Sequence, residues 1–216
     1  MLKIIVTSPD EVFGGALVAA LSGAPDVGDC SMLAMEEAAA VAEEGNTDVL
    51  VLHAGPVEPP DVARLAAAAP VLVLGTGSAE EMIASVEAGA MGYVDADSPF
   101  ETIAETVRSL AKGVATVEPK LLGALLRHVV ERRRAEREAR KALDVLTPRE
   151  NQVFSLLAQG LDSGDLAEQL FISSQTVRTH TQRIMTKLDL HSRSELVALA
   201  ARCGLDLEPI PGEEAQ

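Results

Sequence analysis

The sequence has few cysteines and no long apolar run. Its two cysteines among 216 residues, Cys30 and Cys203, lie in different halves of the chain, and neither belongs to a CxxC motif. Two isolated cysteines build neither a disulfide framework nor a zinc site, so we expect both to be buried thiols. Apolar runs such as Val71 to Leu74 are far shorter than the roughly 20 residues that span a bilayer.

Targeting and catalytic motifs are missing too. Residues 1–6 continue directly into a strand pattern and not into a basic segment, an apolar segment and a cleavage site, so we expect a cytoplasmic protein without membrane contact. The sequence contains no P-loop, no GxSxG motif, no cluster of metal ligands and no recognisable pair of catalytic carboxylates. It therefore predicts no enzyme, no metal site and no cofactor.

Basic residues are scarce and unevenly distributed. The net charge is −15, and residues 1–117 alone carry 18 acidic and four basic side chains. Residues 118–143 carry four acidic and eight basic side chains, and residues 144–207 carry eight acidic and six basic ones. Because Lys and Arg neutralise the phosphates in DNA binding, the overall charge argues against nucleic acid. The acidity is confined largely to the first domain, however, so the later residues remain compatible with it.

The first half alternates short apolar runs with helical patterns, which is typical of βαβ units and a parallel sheet. The predicted strands are Lys3–Thr7, Asp29–Met32, Val49–Leu52, Val71–Leu74 and Gly92–Val94. Ser78 and Ser98 each precede a carboxylate by three residues, so we expect them to cap helices, and we expect Gly89 and Gly113 to end helices. Five strands alternating with five helices predict a flavodoxin-like α/β fold over residues 1–117.

Residues 118–143 have the pattern of one long surface helix that links two domains. Its first half carries an apolar stripe of Leu121, Leu122, Leu125, Leu126, Val129 and Val130. We expect this stripe to pack either on the first domain or on the same helix of a second subunit. The arginine-rich second half is either a solvated helix face or a surface that approaches a DNA backbone.

Residues 144–207 contain four helical patterns in close succession. Thr147 and Glu150 form a capping box, Gly160 ends the first helix, and Asp162 caps a short second one. A tight turn at residues 171–173 leads into a helix from Ser174 to Leu188. Its buried stripe is Val177, Thr181, Ile184 and Leu188, which leaves a polar face exposed. A short helix, a tight turn and a helix with an exposed polar face are typical of a helix-turn-helix.

Four sequence blocks in this region carry a resemblance to a known family. They are Leu146-Thr147-Pro148-Arg149-Glu150, Leu166-Ala167-Glu168-Gln169-Leu170-Phe171-Ile172-Ser173, Thr176-Val177-Arg178-Thr179-His180 and Lys187-Leu188. These blocks closely resemble the LuxR-type helix-turn-helix. Together with the first half, the chain resembles a NarL/FixJ-type response regulator, which implies a CheY-like receiver domain of five parallel strands followed by a four-helix DNA-binding domain. Residues 208–216, rich in Pro, Gly and Glu, are predicted to be a disordered tail.

The resemblance implies which residues contact double-stranded DNA. The residues that would read bases are Arg178, Thr179 and Gln182. Those that would contact phosphates are Thr176, His180, Arg183 and Lys187. His180 has the alternative of filling the boundary between core and surface. The helix from Arg193 to Cys203 resembles the one through which such domains pair. Asp162, Asp165 and Asp189 lie near the expected DNA side and predict weak, salt-sensitive binding unless two modules act together.

The resemblance also implies that this chain has lost part of the receiver chemistry. A phosphorylatable receiver needs an acidic pair for Mg²⁺, an acceptor Asp, a hydroxyl and a Lys. By the resemblance, Thr7 and Ser8 occupy the positions of the acidic pair, and His53 occupies that of the acceptor. Gly75 or Thr76 occupies the position of the hydroxyl, and Ala96 that of the lysine. Neutral Thr and Ser do not attract Mg²⁺, and an acyl phosphate cannot form on imidazole. We therefore expect no aspartyl phosphorylation, since Asp10 one register away would not restore the acceptor.

Two further residues of the first domain invite a functional interpretation. His53 could be a phosphohistidine or a metal ligand with Asp10 or Asp97, but the other ligands that a metal needs are missing, which favours a residue left at a strand end. Tyr93 matches the family's aromatic switch position, although packing alone could hold it there.

The sequence thus predicts a homodimeric, sequence-specific transcription regulator that is controlled by a ligand, a partner or constitutive dimerisation. A small molecule or partner protein could occupy the crevice at the strand ends. The residues expected to line it are Thr7, Ser8, Gly55, Gly75, Thr76 and Ala96. The alternative is a protein-interaction module whose acidic first domain docks on a partner and which binds little DNA.

Overall fold

The computed structural model describes residues 1–53 and 58–205. The chain divides into two compact units, residues 1–128 (the first unit) and residues 129–216 (the second unit). Gly55 of the predicted crevice and the predicted tail at 208–216 lie outside the described residues. No helix in the described ranges is both long enough and apolar enough to cross a membrane.

The first unit alternates strands and helices along the chain. The strands are β1 (Leu2–Thr7), β2 (Val27–Met32), β3 (Val49–His53), β4 (Val71–Gly75), β5 (Gly92–Asp95) and β6 (Thr116–Val117). The helices are α1 (Glu11–Ser22), α2 (Met35–Glu43), α3 (Pro59–Ala66), α4 (Ala79–Glu87) and α5 (Phe100–Leu110), and α6 (Pro119–Ala142) begins here and continues into the second unit. All strand pairs are parallel.

The sheet order is β2-β1-β3-β4-β5-β6, which confirms the flavodoxin-like α/β fold. The five predicted strands are all present. The sixth strand was not predicted, because β6 has only two residues and pairs at the sheet edge with Gly92 and Tyr93. A run that short carries no alternation for a sequence pattern to detect.

The central strands are apolar on both faces because helices cover both sides of the sheet. Leu50 and Val73 belong to the core on one face, while Val51 and Leu72 belong to the core on the other, and all four are completely buried. Burying a side chain of this size contributes about 1.5–3 kcal/mol relative to leaving it in water. These strands therefore anchor the unit and hold their carboxyl ends in register.

The predicted helix caps of the first unit are confirmed except one. The Ser78 side chain accepts from the Glu81 amide, and Gly89 and Gly113 follow α4 and α5 with positive φ angles of 105° and 76°. The prediction that Ser98 caps α5 was wrong. The residue at that cap is Pro99, and the Ser98 hydroxyl donates instead to the Glu118 carboxylate at 2.8 Å.

The apolar stripe of α6 is only partly covered. Leu121 is buried in the core of the first unit, and Leu125 packs against the same core. The exposed members of the stripe are Leu122, Leu126, Val129 and Val130. The expected packing on the first domain is thus met by one edge of the stripe.

The two cysteines differ in burial. Cys203 is buried, as predicted, but Cys30 is only half-buried, which corrects the expectation for that residue. Burial raises the pKa of both thiols, that of Cys30 to about 11. Both side chains are therefore protonated at neutral pH.

The second unit is helical. After α6 and a 3₁₀ turn at Leu143–Val145 come α7 (Pro148–Ala158), α8 (Ser163–Gln169), α9 (Ser174–Lys187) and α10 (Arg193–Arg202). Its core includes Phe154, Leu166, Val177, Ile184 and Ala200, each fully buried. The capping box of Thr147 and Glu150 is present, and Asp162 caps α8 through the amides of Gly164 and Asp165, as predicted.

The Glu150 carboxylate joins the first turn of α7 to the last turn of α9. Its Oε2 accepts from Lys187 Nζ at 2.6 Å, from the Thr147 amide at 2.8 Å and from the Thr147 hydroxyl at 2.9 Å. The Lys187 bond and the Thr147 amide bond together lower the pKa of Glu150 from 4.5 to about 2. The charged form of Glu150 is therefore specifically favoured in the folded protein.

We expect Glu150→Gln to flatten the acid dependence of stability. A lowered folded-state pKa contributes stability above pH 4.5 that is lost as the pH falls towards 2. Urea unfolding, followed by circular dichroism across this interval, measures the free energy of unfolding. The wild type should lose more stability than Glu150→Gln, and Glu168→Gln, an exposed carboxylate on α8, should follow the wild type. Equal slopes for Glu150→Gln and the wild type would refute the role of this carboxylate.

Candidate nucleic-acid interface and sheet-edge site

The turn between α8 and α9 sets the direction of α9. Phe171 adopts a positive φ of 53° and is 94% exposed, so the chain reverses sharply there without burying the ring. Ser173 then caps α9, its side chain accepting from the Thr176 amide. The predicted tight turn is confirmed, and α8 and α9 form a helix-turn-helix.

The faces of α9 separate as the sequence pattern predicted. Val177 and Ile184 are fully buried, and Thr181 is half-buried with its hydroxyl donating to the Val177 carbonyl. Among the predicted DNA contacts, the exposed residues are Thr176, Arg178, Thr179, Gln182, Arg183 and Lys187. Since residues four apart lie on the same side of a helix, the structure brings Arg178 and Gln182 together in one row.

Two predicted phosphate contacts differ from the rest. Lys187 is exposed, but its ammonium bonds to Glu150 and, at 3.3 Å, to the Val145 carbonyl. His180 is half-buried, and within the described ranges its Nδ1 is buried without a hydrogen-bond partner. Neither side chain extends freely from α9 as Arg183 does.

Sequence reasoning missed one arginine beside this surface. Arg178 and Gln182 border a cleft of about 320 Å³ that Arg193 of α10 also lines. The Arg193 guanidinium is held by the Leu161 carbonyl at 2.8 Å. No signal in the sequence pointed to it, because α10 was assigned to subunit pairing.

The residues predicted at the phosphorylation positions lie along the carboxyl edge of the first unit's sheet. Thr7, His53 and Gly75 end β1, β3 and β4, and Ala96 follows β5. Ser8 Oγ lies 2.8 Å from His53 Nδ1, and the His53 ring stacks on Phe13 with centroids 4.0 Å apart. Burial lowers the pKa of His53, although Asp10 opposes this shift, so the imidazole is neutral at pH 7.

Asp10, the residue one register away, has a structural role. Its Oδ1 accepts from the amides of Val12 and Phe13 and so caps α1. Within residues 1–53 and 58–205, no group of three or more His, Cys, Asp or Glu side chains is arranged to hold a metal ion. Thr7, Ser8 and His53 therefore present neutral hydroxyl and imidazole groups at this edge of the sheet.

Tyr93 fills the space beside Gly75. The Tyr93 ring is fully buried, and a Cβ added to Gly75 would lie 2.5 Å from its hydroxyl oxygen. The Tyr93 hydroxyl donates to Glu81 Oε2 at 2.8 Å and accepts from the Gly77 amide at 3.1 Å. Glu81 Oε2 also accepts from the amide and hydroxyl of Thr76. Sequence reasoning had interpreted Glu81 only as a helix-capping carboxylate.

A second network fastens the end of β5 to the start of α6. Glu118 accepts from the Asp95 amide and the Ser98 hydroxyl, both at 2.8 Å. Lys120 Nζ lies 3.0 Å from both Asp95 and Glu118. Burial alone would raise the pKa of Glu118, but these hydrogen bonds and the Lys120 charge lower it overall, and Lys120 also lowers that of Asp95. None of these links was predicted.

Comparisons with known proteins bear on both units. The sequence model of the family described as bacterial regulatory proteins, luxR family, matches residues 144–200, so this segment carries a LuxR-type helix-turn-helix. Oxygen regulatory protein NreC of Staphylococcus haemolyticus is 36% identical over 115 residues, which is 53% of each chain. Transcriptional regulatory protein LiaR of Bacillus subtilis is 35% identical over 117 residues, 54% of each chain. The chain thus spans about half the length of the curated relatives it matches.

One solved structure supports the fold. A two-component response regulator of the LuxR family from Aurantimonas sp. SI85-9A1 aligns with a TM-score of 0.51 at 17% identity. The alignment covers 59% of this chain and 97% of that one. At this identity the likeness concerns the fold alone.

We expect Tyr93 to ionise well above its ordinary pKa of about 10. Burial, and then the hydrogen bond and charge of Glu81, raise the pKa of its phenol. Because Tyr93 is the single tyrosine and the chain has no tryptophan, tyrosinate absorbance after a rapid pH jump reports this residue alone. Glu81→Gln should lower the midpoint while leaving it above the ordinary value, and Glu80→Gln, exposed on the same helix, should not. A wild-type midpoint near 10 would contradict the buried network.

Proposed function

We propose that this chain is a sequence-specific transcription regulator that binds double-stranded DNA as a homodimer and is not controlled by aspartyl phosphorylation. The observation that carries the proposal is the exposed polar face of α9 within the segment that matches the luxR family. The relatives are named as regulatory proteins, and we extend that role to this chain. We also retain the predicted domain boundaries, 1–117, 118–143 and 144–207, as part of the proposal.

Each predicted DNA contact on α9 has a proposed role. Arg178 would donate two bonds to guanine, Gln182 would bond adenine, and Thr179 would contact a thymine methyl group. Thr176, His180 and Arg183 would contact phosphates, which fix the position of α9 without reading sequence. A phosphate contact by Lys187 would first require its ion pair with Glu150 to break.

The sheet edge supports control without phosphorylation. His53 stands at the acceptor position as a neutral imidazole bonded to Ser8, and Thr7 and Ser8 offer no carboxylate for Mg²⁺. Thr76 bonds to Glu81, so its hydroxyl is engaged within the protein. Ala96 supplies no cation where the family pattern has lysine.

Two exposed surfaces support a homodimer. The helix α10 resembles the pairing helix of related domains, and α6 leaves Leu122, Leu126 and Val130 exposed by 46%, 58% and 65%. Apolar side chains exposed on one helix are typical of a surface that another chain covers. A dimer would bind two half-sites, so the operator should be an inverted repeat.

Selection of binding sites from random duplex DNA tests the central proposal. At fixed salt the untreated protein should enrich an inverted repeat. Arg178→Ala and Gln182→Ala should each weaken binding to it by about 10–100-fold, since a good bidentate base contact contributes about 1–3 kcal/mol of discrimination. Arg183→Ala should weaken binding to all sequences about equally and reduce the salt slope by about 1.

A charge-matched control is available in the first unit. Lys112→Ala removes an exposed cation outside the predicted reading face and outside the helices α6 and α10 that support pairing, so it should bind the selected repeat like the wild type. Equal losses for Lys112→Ala and Arg178→Ala would show that net charge, and not base contact, governs binding.

Phosphoryl donors should leave DNA binding unchanged. Acetyl phosphate or beryllofluoride, each with Mg²⁺, should change the apparent Kd for the selected site by less than about twofold, because the sheet edge lacks the acceptor and the metal ligands. The measurement is a fluorescence anisotropy titration with a labelled duplex, and intact-mass analysis checks for a phosphoryl adduct. A stable adduct with a tighter Kd would refute this part of the proposal.

The acidic first unit favours a second candidate function, a protein-interaction module that docks on a basic partner. Residues 1–117 carry 18 acidic side chains against four basic ones. This alternative predicts no sequence enrichment even at low salt, where electrostatic DNA binding is strongest. The selection experiment therefore separates the two functions.

A further inference from the structure

An open surface cavity of about 250 Å³ lies in the first unit between α1 and α5, and Ala16 and Ala20 of its lining are exposed to solvent. The residues that line it are Phe13, Ala16, Leu17, Ala20, Ala96, Ser98, Phe100 and Ile103. None of these side chains is charged, and the Ser98 hydroxyl is the one polar side-chain group among them. Three alanines leave room that larger side chains would fill.

The cavity adjoins the altered sheet edge. Phe13 lines the cavity and also stacks on His53, the residue at the lost acceptor position. Ala96 lines the cavity and stands where the family resemblance places a lysine. The apolar cavity thus lies on the side of the sheet edge where binding of a phosphoryl group would require a cation.

We propose that this cavity binds a small, uncharged, flat and largely apolar molecule, and that this molecule is the signal that the regulator senses. The uncharged lining and the surrounding excess of acidic residues disfavour an anion. Phe13 and Phe100 supply ring surfaces for a flat molecule. The volume lies below the roughly 300–1,000 Å³ of sites for drug-sized ligands, which limits the ligand to a compact one.

A second copy of the chain is a poorer occupant. An isologous contact through α1 and α5 would set identical surfaces of a strongly acidic unit against each other. Like charges at close range oppose such a contact. A neutral small molecule brings no such repulsion.

The Ser98 hydroxyl connects the cavity to α6. It donates to Glu118, whose carboxylate pairs with Lys120 in the first turn of α6. A ligand that displaces or accepts the Ser98 proton would disturb this network and the start of the helix. The role as a signal rests on the proposed function, whereas binding itself requires no DNA.

Indole is a suitable probe because the chain has no tryptophan and a single tyrosine. Indole fluorescence can therefore be followed almost without a protein background. Titrated with the full chain in the absence of DNA, indole emission should shift to shorter wavelength and saturate. Half-saturation is expected at roughly 0.1–1 mM, as befits a ligand of few non-hydrogen atoms.

Cavity-filling variants test the location of the site. Ala16→Leu on α1 and Ala96→Leu on the other wall should each weaken indole binding at least about tenfold. Ala19→Leu, exposed on α1 but outside the lining, is the matched control and should bind like the wild type. Using two filling variants keeps the test valid if one of them fails to fold by circular dichroism.

The coupling has its own readout. Indole should change amide hydrogen exchange in residues 118–122 of the wild type, and Glu118→Ala, which lies outside the lining, should remove this change while retaining binding. No saturable binding, or equal binding by the folded filling variants, would overturn the proposal. Binding that weakens as protein concentration rises would identify a second copy as the occupant and also overturn it. Indole binding without enrichment of a DNA sequence would refute the proposed regulator function and support the ligand site. Enrichment of a DNA sequence without indole binding would support the regulator function and refute the ligand site.

Discussion

The arrangement of the first unit depends on burying strands that are apolar on both faces. Val49–His53 and Val71–Gly75 can be accommodated only where helices cover both sides of the sheet, and this requires parallel strands joined by helical crossovers. The carboxyl ends of the strands then necessarily lie along one edge. The polar side chains at this edge, from Ser8 to Glu118, owe their positions to that constraint. Side chains at the edge can therefore differ without changing the framework.

The second unit depends on a different kind of constraint, a compact core that orients one helix. Val177 and Ile184 fix the rotation of α9 about its axis, and the turn at Phe171 fixes its direction. With rotation and direction set, the side chains at positions 178, 179 and 182 have no other face on which to lie. The polar surface is thus determined by which apolar residues are buried.

The sequence predicted the parts of the structure that depend on local patterns. Apolar runs such as Val71 to Leu74 identified the strands, and Thr147 with Glu150 identified the start of α7 correctly. It failed where distant residues meet. The Ser98 hydroxyl turns to Glu118, 20 residues away, and Tyr93 meets Glu81, 12 residues away. No periodicity records such partners, so the cap at Ser98 was mispredicted and both networks at the sheet edge were missed.

The ion pair between Lys187 and Glu150 has a consequence for how strongly ions compete with DNA. If α9 enters the groove as proposed, a lysine ammonium already neutralised by a carboxylate would displace no cation from the duplex. Each phosphate contact withdrawn in this way lowers counterion release by about 0.9 ions on B-form DNA. In the proposed dimer, two modules would together forgo nearly two ions. DNA binding of that kind would give up some affinity in dilute buffer and retain a larger share of it as ionic strength rises.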